Sequence, residues 1–271
     1  MDREPLDPAR LRAALGGRWA AVDVVDETTS TNADLLAAAA RGAADRTLLA
    51  AETQVAGRGR FDRVWTSPPG AGLLVSLLVR PATPLVAWGW LPLLAGVALA
   101  RAVRAEAGID AVLKWPNDLL TPDGGKLAGI LVQAAEGAAV IGIGLNVSTT
   151  AAELPVDTAS SLALAGAPAV DRTALLAAIA SAVDEQVSRW DAAGGDAQTC
   201  GLLADYTALC DTLGRQVRVS LGGGEVRVSL GGGEVLEGTA EAVADGGGLQ
   251  VRAGQQTHVV NAGDVEHLRP A

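Results

Sequence analysis

Between positions 57 and 63 the chain reads Gly-Arg-Gly-Arg-Phe-Asp-Arg. That is three arginines (Arg58, Arg60, Arg63) and two glycines (Gly57, Gly59) in seven residues of a protein whose formal net charge is −10. Arginine offers a planar fork of donors matched to phosphate or carboxylate, and glycine lets the backbone come close to a ligand. The chemistry open to such a loop is to wrap a small anion. A solvated turn with a charge cluster has the same composition, so the loop gains meaning only from the segments read with it.

Two segments do this. In KWPNDLLTPDGGKLAGILV, residues 114–132, Val112 and Leu113 lead into Lys114 and Trp115. Pro116 then stops the strand, because it lacks an amide proton and pushes Trp115 into extended geometry. Asn117 and Asp118 are therefore expected just past a strand end. After the turn Pro122-Asp123-Gly124-Gly125, Lys126 opens an apolar run in which Gly129 leaves room for a group to approach the backbone. In VIGIGLNV, residues 140–147, Asn146 stands at the end of an apolar strand.

Taken together these motifs resemble the biotin–protein ligases, which activate biotin with ATP and attach it to a carrier lysine. The resemblance rests on Ser30-Thr31-Asn32, on Gln54 with Gly57-Arg58-Gly59-Arg60, and on Trp65. It continues through Lys114-Trp115-Pro116-Asn117-Asp118, Gly125 to Ile130, and Gly144-Leu145-Asn146, over residues 28–147 in the family's order. It implies that Ser30, Thr31, Asn32, Gln54, Gly57, Arg58 and Gly129 lie around biotin, and that Lys126 bridges the reacting carboxylate and the α-phosphate. Trp65 would cover the adenine, with Arg60, Lys114, Asn117 and Asn146 near phosphates, ribose or a magnesium ion carried by ATP. Arg58 and Lys126 would be catalytic. Asp118 is the candidate for helping to deprotonate the incoming lysine, whose ordinary pKa of about 10.4 leaves it charged at neutral pH. The chain departs from the family it resembles after GRGR, where those enzymes commonly carry a second glycine-arginine pair: Phe61-Asp62-Arg63 stands here, and Asp62 in place of the glycine adds a negative charge and removes backbone freedom.

The residues agree with that chemistry independently of the name. Joining a carboxylate to an amine through an acyl-adenylate brings two anions together, and fixed cations such as Arg58, Arg60, Lys114 and Lys126 can hold them and stabilise the phosphorus in the transition state. No G-x-x-x-x-G-K-[ST] loop is present, and Gly57-x-Gly59 and Gly142-x-Gly144 lack the third glycine of a dinucleotide fold. Plainer roles exist for single residues. Ser30 before an alanine-rich run reads as a helix N-cap, and a lone lysine or asparagine reads as a surface or turn residue.

Strand-like runs at 20–25, 48–52, 73–79, 111–115, 127–133 and 140–146, with helices at 32–41, 87–107 and 172–190, predict an α+β fold with one mixed sheet. From about residue 211 short alternating strands with glycine turns predict a small five-stranded barrel, SH3-like by the same resemblance. The expected domains are 1–210 and 211–271. VRVSLGGGE occurs twice in tandem, at 217–225 and 226–234, which leaves open which copy pairs in the barrel.

Composition bounds the rest. With 49% hydrophobic and 19% charged residues the chain is globular, and the apolar run from 87 to 100 is broken by Gly89, Pro92 and Gly96, so it reads as a buried helix and not a membrane span. Cys200 and Cys210 lack metal spacing, His258 and His267 lie far from the motifs, and reduced thiols point to the cytoplasm. Ser30 arrives too early for a winged helix ahead of it, and the net acidity opposes nonspecific DNA binding, so no DNA partner is expected. The resemblance implies as partner a biotin carboxyl carrier domain of acyl-CoA or pyruvate carboxylases. Lipoate or octanoate ligases, and a non-catalytic biotin or adenylate sensor, are the alternatives.

Overall fold

The structure, a computed structural model, describes residues 3–135, 137–220 and 235–268. Seven strands form one mixed sheet in the order β1-β2-β3-β7-β6-β5-β4. They are β1 (Ala21–Thr28), β2 (Thr47–Gln54), β3 (Gly72–Val79), β4 (Val112–Lys114), β5 (Asp118–Leu120), β6 (Lys126–Ala135) and β7 (Ala138–Asn146). Only β1 and β2 pair in parallel, as they must when joined by the crossover helix α2 (Thr31–Ala40); the remaining pairs are antiparallel. β3, GLLVSLLV, is buried along its whole length, the pattern of a strand covered on both faces.

Helix α2 packs on one face against β3, β6 and β7. The other face is covered by α3 (Leu91–Ala107) and α4 (Arg172–Ala192), with α1 (Pro8–Leu15) against α4 and α5 (Leu202–Leu209) against α3. The helix expected at 87–107 is divided: a 3-10 turn spans Leu85–Trp90, and α3 begins at Leu91 with Pro92 in its first turn, where its missing amide proton costs nothing. The segment Leu85–Ala107 is as long and apolar as a membrane span, yet 67% of its most apolar window is buried inside the protein.

Three elements went unread in the sequence. Helix α1 carries the full start and stop grammar, with Asp7 accepting from the Ala9 and Arg10 amides, Pro8 at N1, and Gly16 left-handed at φ 59°. Helix α5 begins after the left-handed Gly201 with no side-chain cap. β5 corrects the placement of Asp118: the chain turns at Trp115–Asn117 and pairs back on itself, with Asp118 opposite Lys114 as the first residue of a new strand and not past a strand end.

A second, five-stranded antiparallel sheet has the order β11-β10-β9-β8-β12, with β8 (Gln216–Ser220), β9 (Val235–Val243), β10 (Leu249–Ala253), β11 (Gln256–Val260) and β12 (Asp264–His267). Its first strand opens the first copy of the nonapeptide; positions 221–234, and with them the question of which copy pairs, lie outside the described residues. The two sheets share one hydrophobic core, in which Val217, Val219, Val251 and Val260 join the cluster of the larger sheet. Two buried tryptophans span the joint. Trp115 donates from its amide to Thr212 Oγ1 at 3.0 Å and from its indole to Gly247 O at 3.0 Å, and the Trp90 indole donates to Asp245 O at 2.5 Å.

Candidate active site

Register decides the floor of the site. Asp118 on β5 lies opposite Gly129 on β6, Gly129 opposite Gly144 on β7, and Gly144 opposite Leu74 on β3. One step along, Leu131, Gly142 and Ser76 are neighbours in the same way. Three glycines thus meet on the face that α2 partly covers, leaving a patch of bare backbone. What fills it is protein: a Cβ on Gly144 would stand 2.5 Å from Trp65 Cε2, one on Gly129 would stand 3.3 Å from Trp65 Cζ3, and one on Gly142 would overlap Asn32 Oδ1. The room expected beside Gly129 is occupied by the indole of Trp65 and the end of Lys126.

Above this floor is a cavity of about 980 Å³. Every residue predicted for the site except Gly57 lines it, including Ser30, Asn117 and Asn146. Gly57 lies just behind, where a side chain would meet Trp65 O at 2.6 Å and Gln54 Nε2 at 3.0 Å, so its role here is to permit close backbone approach.

One end of the cavity is cationic. Lys126 starts β6 and reaches diagonally to Asp118, with Nζ 2.7 Å from Oδ1; the two side chains are 33% and 18% exposed. Lys114 and Arg60 flank the same carboxylate. Burial lowers the pKa of both, while the charge of Asp118 opposes that shift. Asn117 organises this corner, accepting from Arg60 Nη1 at 3.1 Å and donating to Ile130 O at 3.0 Å. Lys126 Nζ also stands 6.0 Å from the centre of a Trp65 ring, at the limit of a cation–π contact.

The other end is neutral and polar. Ser30 caps α2, accepting from the Ala33 amide at 3.4 Å, as its position before the alanine run predicts. Thr31 donates its amide to Gln54 Oε1 at 2.7 Å, with Thr31 Oγ1 3.0 Å from the same oxygen. Asn32 is buried and its amide nitrogen is taken by Leu131 O at 3.3 Å and Gln133 Oε1 at 2.9 Å. Asn32 thus holds α2 to the sheet with both of its amide donors, while still lining the cavity. Asn146 likewise donates to Ser160 O at 2.9 Å.

The arginine loop closes on itself as a hairpin. Gly59 donates to Arg63 O at 2.7 Å and Trp65 to Gly57 O at 2.9 Å, with Phe61 and Asp62 at the tip, both left-handed at φ 54° and 56°. Asp62 accepts from Arg58 Nη1 at 3.0 Å, a pair 60% and 87% exposed. Arg63 pairs with Asp264 of β12, tying the loop to the second sheet. That sheet contributes His267, whose burial pulls its pKa down to about 4 with help from the charges of Lys114 and Arg215 and against that of Asp211.

Sequence reasoning missed Ser76, Gly142, Gly144, Gln133 and His267. The alternation Gly142-x-Gly144 could have revealed the first two glycines as one bare face of a strand. Ser76 is a lone hydroxyl in an otherwise apolar strand, and nothing local distinguishes it.

Comparison with known proteins fits this geometry. Residues 23–149 match the Biotin/lipoate A/B protein ligase family and residues 221–268 the Biotin protein ligase C terminal domain. Over 275 residues the chain is 42% identical to a biotin–[acetyl-CoA-carboxylase] ligase of Mycobacterium tuberculosis, covering 98% of this chain and 97% of that one. It is 40% identical over 162 residues to the bifunctional ligase/repressor BirA of Bacillus subtilis, covering 57% of this chain and 49% of that protein. A biotin protein ligase from Aquifex aeolicus, solved in complex with biotin and ATP, superposes with a TM-score of 0.74 at 24% identity, over 93% of this chain and all of that one. One from Leishmania major in complex with biotinyl-5-AMP does so with a TM-score of 0.58 at 24% identity, over 93% and 99%. These two likenesses establish the fold. With a relative 42% identical along almost its whole length, the chain belongs to the biotin protein ligase family.

Proposed function

We propose that this protein activates biotin as biotinyl-5'-AMP and transfers it to one lysine of a biotin carboxyl carrier domain. The observation that supports this most is the polarity of the cavity: cations gathered on Asp118 at one end, and a neutral amide and hydroxyl cluster of Thr31 and Gln54 at the other. A ligand with an anionic tail and a neutral, hydrogen-bonding head suits both ends, and biotin, a carboxylic acid carrying a cyclic urea, is such a molecule. The head of lipoate and the end of octanoate are apolar and would leave the polar end unsatisfied.

In the first step a biotin carboxylate oxygen attacks the α-phosphorus of ATP, forming the acyl–phosphate bond as pyrophosphate leaves. Lys126 is placed to draw the two anions together, with Arg60 and Lys114 countering the charge on the phosphates. In the second step the carrier amine attacks the acyl carbon, AMP departs, and the amine proton must pass to a base, for which Asp118, paired with Lys126 among the cavity's carboxylates, is the candidate. Arg58, with one of its donors on Asp62, would turn others to the carboxylate, and Trp65 would cover the adenine. Magnesium would arrive with the nucleotide as substrate, keeping several of its waters.

The name of the Mycobacterium tuberculosis relative supports a carboxylase carrier as the acceptor. A division at about residue 210, before the strands of the second sheet, and a cytoplasmic location, in keeping with two free cysteines, complete the proposal. The test is pyrophosphate exchange into ATP with biotin, lipoate and octanoate. Exchange with biotin alone supports it; exchange with another acid moves the chain to a sister activity, and none favours a sensor.

A further inference from the structure

The segment ahead of α1 runs beside the roots of both loops that border the cavity. The arginine loop leaves β2 at Gln54 and returns to β3 at Gly72. The second loop follows β7 after Asn146, and its Pro155, Val156, Thr158 and Ala159 line the cavity. It is pinned at the cationic end, where the Lys126 amide donates to Thr158 O and the Ser160 amide donates to Lys126 O, both at 2.8 Å. The two loops meet at their roots, since the Val147 and Ser148 amides donate to Ala71 O at 3.1 and 2.8 Å.

Arg3 lies across this junction. Its Nη2 donates to Glu153 Oε2 at 2.7 Å and to Ser148 O at 3.4 Å, and its Nη1 to Pro69 O at 3.5 Å. The backbone at Gly70 comes close against its stem: a Cβ there would stand 3.1 Å from Arg3 Cβ. Glu153 in turn closes the first turn of the second loop, accepting from the Thr150 amide at 2.9 Å and the Thr150 hydroxyl at 3.0 Å. The Thr150 amide first, and then Arg3, hold the Glu153 pKa down to about 2, so the ion pair is fully charged near neutral pH.

The segment that carries Arg3 is anchored by other groups. Arg172 Nη2 donates to Glu4 O at 2.6 Å, the Leu6 amide to Glu52 Oε1 at 2.6 Å, and the Asp7 amide to Thr173 Oγ1 at 3.1 Å. Arg3 is thus an arm held at its base, with its guanidinium on both loops. We infer that Arg3 is a positioning residue for the nucleotide end of the cavity, stapling the root of the arginine loop to the loop after β7 so that the two stay closed over a bound adenylate. Neither Arg3 nor Glu153 lines the cavity, so the effect passes through the loops. A mixed anhydride that escapes is lost to water, and retention until the carrier lysine arrives is what the staple serves. The inference rests on the ligase reading above and adds to it a residue from outside the motif series.

Arg3→Ala removes the arm and leaves its anchors. Escape of biotinyl-AMP, followed by pulse-quench with labelled ATP, should rise about fivefold, the upper scale for one partly exposed ion pair, and the KM for ATP in biotin-dependent exchange should rise with it. Biotin affinity by calorimetry and the exchange rate at saturating substrates should stay within about twofold, a split that general loosening of the fold would not give. Glu153→Gln keeps an oxygen for Thr150 while removing the charge that Arg3 meets, so it should show the same change, and the double variant should be no worse than either single one. Hydrogen exchange of the amides at 149–161 should quicken in both variants without any substrate present. Unchanged escape and KM for ATP in folded Arg3→Ala protein, equal losses for biotin and ATP, or a double variant showing the product of the single effects would overturn the inference while leaving the ligase reading intact. An unaltered protein that makes no biotinyl-AMP would overturn both. Should Arg3→Ala not fold, Glu153→Gln carries the test, and normal adenylate retention there would refute the staple.

Discussion

His267 makes the joint between the two sheets sensitive to acid. Its Nε2 is 3.1 Å from Thr212 Oγ1, which also accepts from the Trp115 amide, so His267 is joined through Thr212 to the turn after β4. The side chain is 17% exposed, and burial, Lys114 and Arg215 lower its pKa from 6.5 to about 4. The unfolded chain therefore binds this proton first as pH falls. Stability is complete above 6.5, declines below it, and the loss is finished near 4. At pH 5 the two pKa values give a loss of about 2 kcal/mol relative to pH 7.5. Urea unfolding of the unaltered protein and of His267→Gln at both pH values isolates this group, because the carboxylates that also titrate are common to both. The variant should lose less stability than the original between pH 7.5 and 5, by a margin approaching that figure. Equal losses, within about 0.5 kcal/mol, would show that His267 is not held neutral by its surroundings and refute the reasoning.

Three further outcomes follow from the site. Lys126→Ala should cut the biotin-dependent exchange rate by about 10²–10³, the scale for one preorganised charge, with thermal unfolding little changed because the side chain is a third exposed; exchange at the normal rate by folded variant would show that another group bridges the two anions. Gly142→Ala places a methyl on Asn32 Oδ1 in a buried network and should cost about 1–3 kcal/mol, seen as a fall of several degrees in melting temperature; an unchanged melting temperature would mean that Asn32 gives way freely. Asp62→Asn removes an exposed ion pair, so stability should change by less than about 0.5 kcal/mol and biotin affinity should rise no more than about twofold. A gain well beyond that in calorimetry would make Asp62 a true gate on Arg58.

Much of this protein is legible in its residues because the signals are local. The Ser30 cap before an alanine run, the strand end at Pro116, the apolar β3, and the start of β6 at Lys126 are each set by neighbours in the chain. The motif series that gathers Thr31, Gln54, Arg60, Lys114 and Lys126 around one cavity is readable for the same reason: each lies at the end of an element whose bounds the sequence marks. Helix α1 has equally local start and stop signals in Asp7, Pro8 and Gly16, but its charged surface masks two buried leucines.

Strand register and face belong to another level. That Gly129, Gly144 and Gly142 share one bare surface, that Trp65 lies on it, and that Ser76 sits beside it follow from pairing between strands far apart in the chain. Asp118 meets Lys126 because β5 turns back on β4, and His267 reaches the Lys114 corner because two sheets share a core closed by Trp90 and Trp115. Local propensity and capping act over a few residues and so are written in the sequence. The pKa of a histidine depends on atoms brought together by burial, which only the folded chain supplies.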